Sequence, residues 1–214
     1  MISKSDYMLF LKHPAWLWVK KNAPSKLPPV DDNTQAMFDA GHAFEPYAES
    51  LFPEGVSLGF SDYDEYRTLP ERTLESIKSG AHVLFQPRFN WGDYTCICDI
   101  VKFVEDGLVD LYEIKASTSA KTEHEFDLAF QVAVLEGTGF KVRSVFVVHV
   151  NNQYVRNGEI EADKITTITD VTEKVRARRD ATQKYMPLAA TVAKQSTMPD
   201  PDPNLAKLGS KKDW

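Results

Sequence analysis

The sequence predicts an α/β fold in which helices flank a mixed central β-sheet. Apolar residues recur at helical spacing from Asn33 to Leu51, which indicates an amphipathic helix. The run Val142–Val150 is almost continuously apolar and β-branched, as expected of a strand that is buried on both faces. Glu105 to Gly107 carries an Asp-Gly pair between two strand-like stretches, which is typical of a hairpin turn. One α/β or α+β domain with a mixed sheet accommodates these elements.

The first part of the chain is predicted to be helical. Ser3 or Ser5 can cap a first helix, and Pro14 suits the first position of a second helix. Residues 22–32 contain three prolines and are typical of a loop. The helix over 33–51 follows, and Pro53 and Gly55 end it.

The rest of the chain is predicted to mix strands and helices. In chain order we expect a strand at 56–59, a helix at 64–78, strands at 82–89, 94–104 and 108–116, a helix at 123–136, strands at 142–150 and 165–168, and a helix at 171–193 capped by Asp170. Prolines punctuate residues 198–214, so we expect a mobile tail after a single domain over 1–197.

Composition is that of a globular protein. Of the 214 residues, 43% are hydrophobic and 26% charged, which is enough apolar content to bury one sizeable core and excludes disorder over most of the chain. No apolar run reaches the roughly 18–20 residues of a membrane span, and the N-terminus lacks a secretory signal. We therefore expect a cytoplasmic protein with no membrane partner.

The net charge and the cysteine content exclude further classes of protein. The formal net charge is −6, whereas a protein that coats nucleic acid tightly is normally basic. An enzyme that touches nucleic acid only locally stays compatible with this charge. The two cysteines, Cys96 and Cys98, do not supply a disulfide framework or the ligand set of a structural zinc site or an iron–sulfur cluster.

The stretch from Asp99 to Lys115 carries the most specific chemistry. Asp99 lies between Ile97 and Ile100 in a strand that is otherwise expected to be buried. Glu113 and Lys115 are two positions apart and share one face of the next strand, to which the hairpin can bring Asp99. Buried carboxylates and an ammonium group are unfavourable unless they are paired. Mg²⁺ or Mn²⁺ would pair them, although a Glu–Lys pair that only fixes strand register is the alternative.

These residues resemble the signature of the PD-(D/E)XK nuclease superfamily, and in particular its RecB-like and CRISPR-associated exonucleases. In those families an Asp at a strand end precedes a hairpin, and Glu-x-Lys follows on the next strand. Asp99 and the segment Glu113–Lys115 match this order. The resemblance covers most of residues 3–193 and implies a restriction-endonuclease-like core. It also implies a metal-dependent hydrolase of DNA phosphodiester bonds, an exonuclease of repair, recombination or defence.

The resemblance extends to two helices. Gly41 to Glu45 matches the helical motif whose acid or histidine is a third metal ligand, although a solvated helix residue is the alternative reading of Glu45. Gln131 matches the glutamine on the helix after the active strand. His124, Asp127 and Gln131 form a polar stripe on an otherwise apolar helix, which either faces the site or caps the edge of the core.

Roles for individual residues follow from this resemblance. The metal ligands would be Glu45, Asp99, Glu113 and the carbonyl of Ile114. The catalytic residues would be Asp99, Glu113, Lys115 and Gln131, with Lys115 either hydrogen-bonded to the attacking water or stabilising the negative transition state. Ser117 and Lys121 would contact DNA, although Lys121 is equally compatible with a solvated loop. Residues 174–184 carry a basic patch on the last helix, which a solvated helix face also explains.

The chain departs from these relatives at two positions. Leu135 stands where many of them carry a tyrosine four residues after the glutamine. His13 precedes Pro14 where iron–sulfur members have their first cysteine, and the C-terminal end has no cysteine. Either this branch lost the cluster or the chain is a fragment of a longer protein, and we expect no iron–sulfur cluster in this polypeptide.

The expected partner is DNA that is single-stranded or has ends, with a larger protein assembly as a second candidate. Two alternatives to a nuclease stay open. One is a catalytically silent nuclease-fold module that binds nucleic acid or a protein partner. The other is an unrelated α/β domain in which Asp99, Glu113 and Lys115 form a structural cluster of ion pairs.

Overall fold

In the computed structural model the structure describes residues 1–105 and 107–208. Within these residues the chain forms a six-stranded mixed sheet, a smaller three-stranded sheet and helices that pack on both faces of the larger one. The predicted α/β class and the mixed sheet flanked by helices are confirmed. The predicted hairpin turn includes Asp106, which lies outside the described residues, as do residues 209–214 at the end of the predicted tail.

The helices follow local sequence signals. The Ser3 hydroxyl accepts a hydrogen bond from the Asp6 N–H at the start of the first helix, and Pro14 opens the second. No helix in the described part of the chain is long and apolar enough to cross a lipid bilayer. In chain order the α-helices are α1 (Lys4–Lys12), α2 (Pro14–Asn22), α3 (Asp32–Glu49), α4 (Tyr63–Lys78), α5 (Thr122–Gly137), α6 (Ala162–Ile165), α7 (Thr172–Arg176) and α8 (Arg179–Lys194).

The strands are, in chain order, β1 (Ile2–Ser3), β2 (Val56–Ser57), β3 (Val83–Phe85), β4 (Arg88–Trp91), β5 (Tyr94–Ile97), β6 (Ile100–Glu105), β7 (Leu108–Lys115), β8 (Lys141–Val150) and β9 (Thr166–Asp170). The larger sheet has the order β2-β3-β6-β7-β8-β9, and the smaller sheet has the order β1-β5-β4. β7 pairs antiparallel with β6 and parallel with β8. α5 connects β7 to β8, as parallel pairing requires.

The two faces of β7 meet different helices. Tyr112 and Ile114 pack with Phe44 of α3 in one apolar cluster. Leu111 points the other way, into the main core beneath α1, α5 and α8. Because side chains alternate along a strand, Glu113 also faces the α1 and α5 side. A carboxylate is thereby placed inside the main core, where it needs partners.

The strand pair formed by β3–β4 and β5–β6 is interrupted at Asp99, which lies between β5 and β6. The Gln86 N–H donates to the Asp99 carbonyl at 2.9 Å, and the Cys98 N–H donates to the Pro87 carbonyl at 3.0 Å. Gln86 has a φ of 55°, a left-handed conformation that is uncommon outside glycine. On one side of this bend β3 and β6 belong to the larger sheet, and on the other side β4 and β5 belong to the smaller sheet. Asp99 therefore lies where the two sheets diverge.

Several predicted elements differ in detail. The strands predicted at 82–89 and 94–104 are each divided by this bend, and the helix predicted at 171–193 is divided into α7 and α8. In the predicted tail, the Lys207 and Leu208 N–H groups both donate to the Leu11 carbonyl at 2.8 Å, so its described part lies against α1. The mobility of this tail stays a prediction.

Candidate active site

The Asp99 carboxylate lies at the end of the β6–β7 ladder. The last paired residues of that ladder are Ile100 and Tyr112. Asp99 Oδ2 accepts a hydrogen bond from the Ile114 N–H at 2.7 Å, and so replaces the next backbone acceptor. In an extended strand the N–H and C=O of one residue point to the same edge. The Ile114 carbonyl therefore faces the edge at which Asp99 lies.

The Glu113 carboxylate is fully buried and has three donors. Its Oε1 accepts from Lys115 Nζ at 2.6 Å and from Lys4 Nζ at 2.9 Å. Its Oε2 accepts from Gln131 Nε2 at 2.7 Å. Lys4 Nζ also lies 3.7 Å from Asp99 Oδ1. The Lys4 ammonium is thus placed between the two carboxylates, and sequence reasoning missed it.

The polar stripe of α5 faces this cluster. Gln131 is fully buried and donates to Asp127 Oδ1 at 3.0 Å as well as to Glu113. Asp127 Oδ2 lies 3.3 Å from Lys115 Nζ. Since both partners of the Gln131 amide are carboxylates, its NH₂ group must face them. Within the described residues Gln131 Oε1 has no hydrogen-bond donor, which leaves a buried acceptor suited to water.

The environment separates the pKa values of the two carboxyl groups. Burial, together with the negative charge of Glu113, raises the pKa of Asp99 to about 6. Burial also opposes ionisation of Glu113, but the charges of Lys115 and Lys4 and the hydrogen bond from Gln131 hold its pKa below its usual range. Glu113 therefore stays ionised, whereas the raised pKa of Asp99 lies at about 6.

The two lysines stay charged despite their burial. Burial favours the neutral amine of Lys115, but Glu113 and Asp127 raise its pKa above the ordinary value. For Lys4 burial acts in the same way, and Asp99 and Glu113 outweigh it. When all groups are ionised, three carboxylates face two ammonium groups in this cluster. The cluster then carries one net negative charge.

The oxygen atoms of the site suit a hard divalent cation. Among the described residues no group of three or more His, Cys, Asp and Glu side chains has the arrangement of a metal site. Asp99 and Glu113 nevertheless already bind one cation together, the Lys4 ammonium. The Ile114 carbonyl adds a third oxygen at the same edge. Carboxylate and carbonyl oxygens are the ligands that Mg²⁺ and Mn²⁺ prefer, so these residues fit such an ion.

Glu45 lies apart from this cluster. α3 packs through Phe44 and Ala48 on the face of the sheet opposite to Glu113. Glu45 is half-exposed, and its side chain makes no hydrogen bond or ion pair with any described residue, Asp99 and Glu113 included. Burial and the charge of Glu45 raise the pKa of the neighbouring Glu49. The role of Glu45 as a third metal ligand stays a prediction.

The proposed DNA contacts follow β7 directly. The Ser117 hydroxyl donates to the Ser119 carbonyl at 2.9 Å, and the Ser117 carbonyl accepts from the Val150 N–H at 2.9 Å. Lys121 is exposed immediately before α5, and its N–H donates to His124 Nδ1. Both residues lie on the same end of the sheet as Lys115, and their contact with DNA stays a prediction.

The predicted basic patch on the last helices is largely paired with acids. Arg178 donates to Glu125 Oε2 through Nε at 2.9 Å and through Nη2 at 2.8 Å. Arg176 pairs with Glu173 at 3.1 Å, and Arg179 lies 3.8 Å from a carboxylate of α5. These pairs reduce the positive potential of that face, which supports the reading of a solvated, ion-paired helix surface.

Comparisons with known proteins give little further information. No protein-family model matches the chain, and no curated protein matches it. Among solved structures it is similar to a phage-related exonuclease from Haemophilus somnus 129PT, with 14% sequence identity and a TM-score of 0.27 over 77% of this chain and 89% of that one. A TM-score this low does not establish a common fold or a common activity.

Proposed function

We propose that this protein is a divalent-metal-dependent nuclease that hydrolyses phosphodiester bonds of DNA. One observation carries the proposal. Asp99 and Glu113, which are 14 residues apart along the chain, converge on a single cation, and Lys115 lies beside them on the same face. An acid at the bend of a hairpin, followed by Glu-x-Lys on the next strand, supplies the groups that phosphodiester hydrolysis needs.

Each residue of the site would have a separate role in hydrolysis. Asp99, Glu113 and the Ile114 carbonyl would hold Mg²⁺ or Mn²⁺, which when bound would polarise the phosphoryl group and neutralise charge on the leaving oxygen. Lys115 would hydrogen-bond the attacking water and stabilise negative charge on the phosphoryl oxygens. The water oxygen would bond to phosphorus and lose a proton to solvent, the P–O ester bond would break, and the departing oxygen would take a proton from solvent.

Two residues of α5 would position these groups. Gln131 donates to Glu113 and Asp127 at once, and Asp127 faces the Lys115 ammonium. The amide therefore orients the Glu113 carboxylate, and Asp127 limits where Lys115 can point. We include Gln131 in the catalytic group because its remaining buried oxygen suits a water at the site.

The substrate class rests on the motif resemblance. PD-(D/E)XK exonucleases act on DNA with ends or single strands, and we extend this to the present chain. Ser117 and Lys121 would contact the DNA backbone at the end of β7. On the same resemblance, Glu45 of α3 would be a further metal ligand.

A structural cluster of ion pairs is the second candidate. It is favoured by one specific observation, that both oxygens of Glu113 are already paired inside the protein. Such a cluster would hold β7 in place against α1 and α5 and would have no catalytic role. It would bind no metal and cut no DNA.

The test is cleavage of fluorescent single-stranded and double-stranded DNA with Mg²⁺ or Mn²⁺. The wild type is compared with Lys115→Ala and with Lys141→Ala, which removes an exposed lysine at the opposite end of the sheet. We expect metal-dependent cleavage by the wild type and by Lys141→Ala, and none by Lys115→Ala. Cleavage by a well-folded Lys115→Ala protein, or none by the wild type on either substrate, would contradict the proposal.

A further inference from the structure

Lys4 fills the space that a divalent ion would need. Its Nζ lies 2.9 Å from Glu113 Oε1 and 3.7 Å from Asp99 Oδ1. A divalent ion held by the same two carboxylates would need the space between them. The ammonium and the ion cannot both occupy this space, because like charges at such a separation repel strongly in a buried site.

The backbone of Lys4 is anchored, whereas its side chain is held only at the ammonium end, by Glu113 and Asp99. Ile2 and Ser3 form β1, and the Ile2 N–H donates to the Asp93 carbonyl at 2.7 Å. Ser3 caps α1 in a reciprocal pair with the buried Asp6. The start of α1 therefore stays in place, and the flexible four-carbon stem of Lys4 is the part that can move.

We propose that Lys4 is a built-in counter-cation of the candidate metal site, and that a divalent ion binds only as the Lys4 ammonium moves out toward solvent. The inference rests on the proposed function, since it assumes that Asp99 and Glu113 hold the ion. The side chain of Lys4 is 25% exposed, so it lies partly at the protein surface.

Charge balance supports this exchange. The charges of the three carboxylates (Asp99, Glu113 and Asp127) and of Lys115 sum to −2. A divalent ion in place of Lys4 would therefore bring the net charge of these groups to zero. The same ion with Lys4 still in place would leave a buried net positive charge, which is unfavourable. Without the ion, Lys4 reduces the repulsion between Asp99 and Glu113. Lys4 therefore stabilises the metal-free protein and weakens its affinity for metal.

The first test is calorimetric titration of Mn²⁺ into the wild type and three variants. Lys4→Met keeps the length of the side chain and removes the competing charge, so we expect Mn²⁺ to bind about tenfold more tightly or better. Lys4→Arg keeps the charge and is expected to bind like the wild type. Lys20→Met is the matched control, because Lys20 pairs with the buried Asp6 outside the site, and its affinity should not change.

The outcomes separate this inference from the proposed function. Equal or weaker Mn²⁺ binding by Lys4→Met, beside clear binding by the wild type, would overturn the role of Lys4 and leave the metal site intact. Absence of binding in both proteins would overturn the metal site and this inference together. Binding by Lys4→Met alone would support the inference strongly.

A second test needs no variant and so does not depend on the folding of Lys4→Met. Reductive methylation of the wild type is followed residue by residue by mass spectrometry, with and without saturating Mn²⁺. We expect the labelling rate of Lys4 to rise several-fold with Mn²⁺, while the rate of Lys20 stays constant. An unchanged rate for Lys4 in the metal-bound protein would overturn the inference.

Discussion

Asp99 Oδ2 accepts a hydrogen bond from the Ile114 N–H at 2.7 Å, so a side chain continues the β6–β7 ladder where the backbone turns away. This contact fixes the Asp99 carboxylate against the strand that carries Glu113 and Lys115. It also leaves the second oxygen of Asp99 facing the Lys4 ammonium. The bend of one hairpin thus places Asp99 beside Glu113 and Lys115.

Glu113 is expected to be the residue on which the stability of the site depends most. Glu113→Gln would leave Lys4 and Lys115 buried without their shared carboxylate, which costs about 3–5 kcal/mol when one partner of a buried ion pair is removed. Denaturant unfolding measures this loss. Glu105→Gln, an exposed substitution at the far end of β6, is the control and should change stability little. A Glu113→Gln protein as stable as the wild type would show that these ion pairs add nothing.

Asp99 should make metal binding dependent on pH. Its pKa of about 6 means that the carboxyl group is largely protonated below pH 6, and a cation binds the ionised form. We expect affinity for Mn²⁺ to rise between about pH 5 and 7 and then to level off, as measured by calorimetry. A flat affinity across this range would contradict the assigned titration.

The same shift affects folding stability with a defined sign. The folded protein binds more protons at Asp99 than the unfolded chain between the ordinary pKa of 3.8 and the folded value of about 6. The contribution of Asp99 to the free energy of unfolding therefore falls as pH rises through this window. Asp99→Asn should remove that part of the pH dependence in metal-free protein. If the two pH profiles are parallel, Asp99 does not titrate in this range.

Gln131 should matter for the position of Glu113 more than for the fold. Gln131→Leu keeps the volume but removes the donor shared by Glu113 and Asp127, which is expected to lower stability by about 1–3 kcal/mol. Cleavage should fall more than substrate affinity does. Gln183→Leu, on an exposed position of α8, is the control. Unchanged cleavage by Gln131→Leu would remove this residue from the catalytic group.

Lys121 is expected to contribute one phosphate contact. Lys121→Ala should weaken DNA binding uniformly across sequences and reduce the slope of log affinity against log salt concentration by about one unit. Lys141→Ala, at the opposite end of the sheet, should leave the slope unchanged. Fluorescence anisotropy over a series of salt concentrations provides the measurement. Equal slopes for Lys121→Ala and the wild type would place Lys121 outside the DNA contact.

Local signals predicted most of the fold. The β-branched run and the hairpin located β7 and β8, and helical periodicity located α3 and α5, because these patterns are set by nearby residues. The break at Asp99 was not predicted, since the apolar pattern continues from Cys96 to Val101. The break is accompanied by a hydrogen bond from the N–H of Gln86, which lies between β3 and β4, to the Asp99 carbonyl.

The part of the candidate site that lies in one hairpin was predictable from spacing, and the polar stripe of α5 predicted the place of Gln131 and Asp127. Asp99, Glu113 and Lys115 lie in one such unit, so spacing brought them together. Lys4 is 109 positions from Glu113, and no local pattern distinguishes it from a solvated lysine near a helix start. Only the tertiary packing of α1 and α5 brings Lys4 into the site.

Binding of a divalent cation by Asp99 and Glu113 can be measured directly. Electron paramagnetic resonance of Mn²⁺ at neutral pH measures the free ion and therefore the amount bound. We predict Mn²⁺ binding by the wild type and by Asp93→Asn, an exposed acid outside the site, and its loss in Asp99→Asn and Glu113→Gln. Equal Mn²⁺ binding by all four proteins, or none by the wild type, would contradict the proposed metal site.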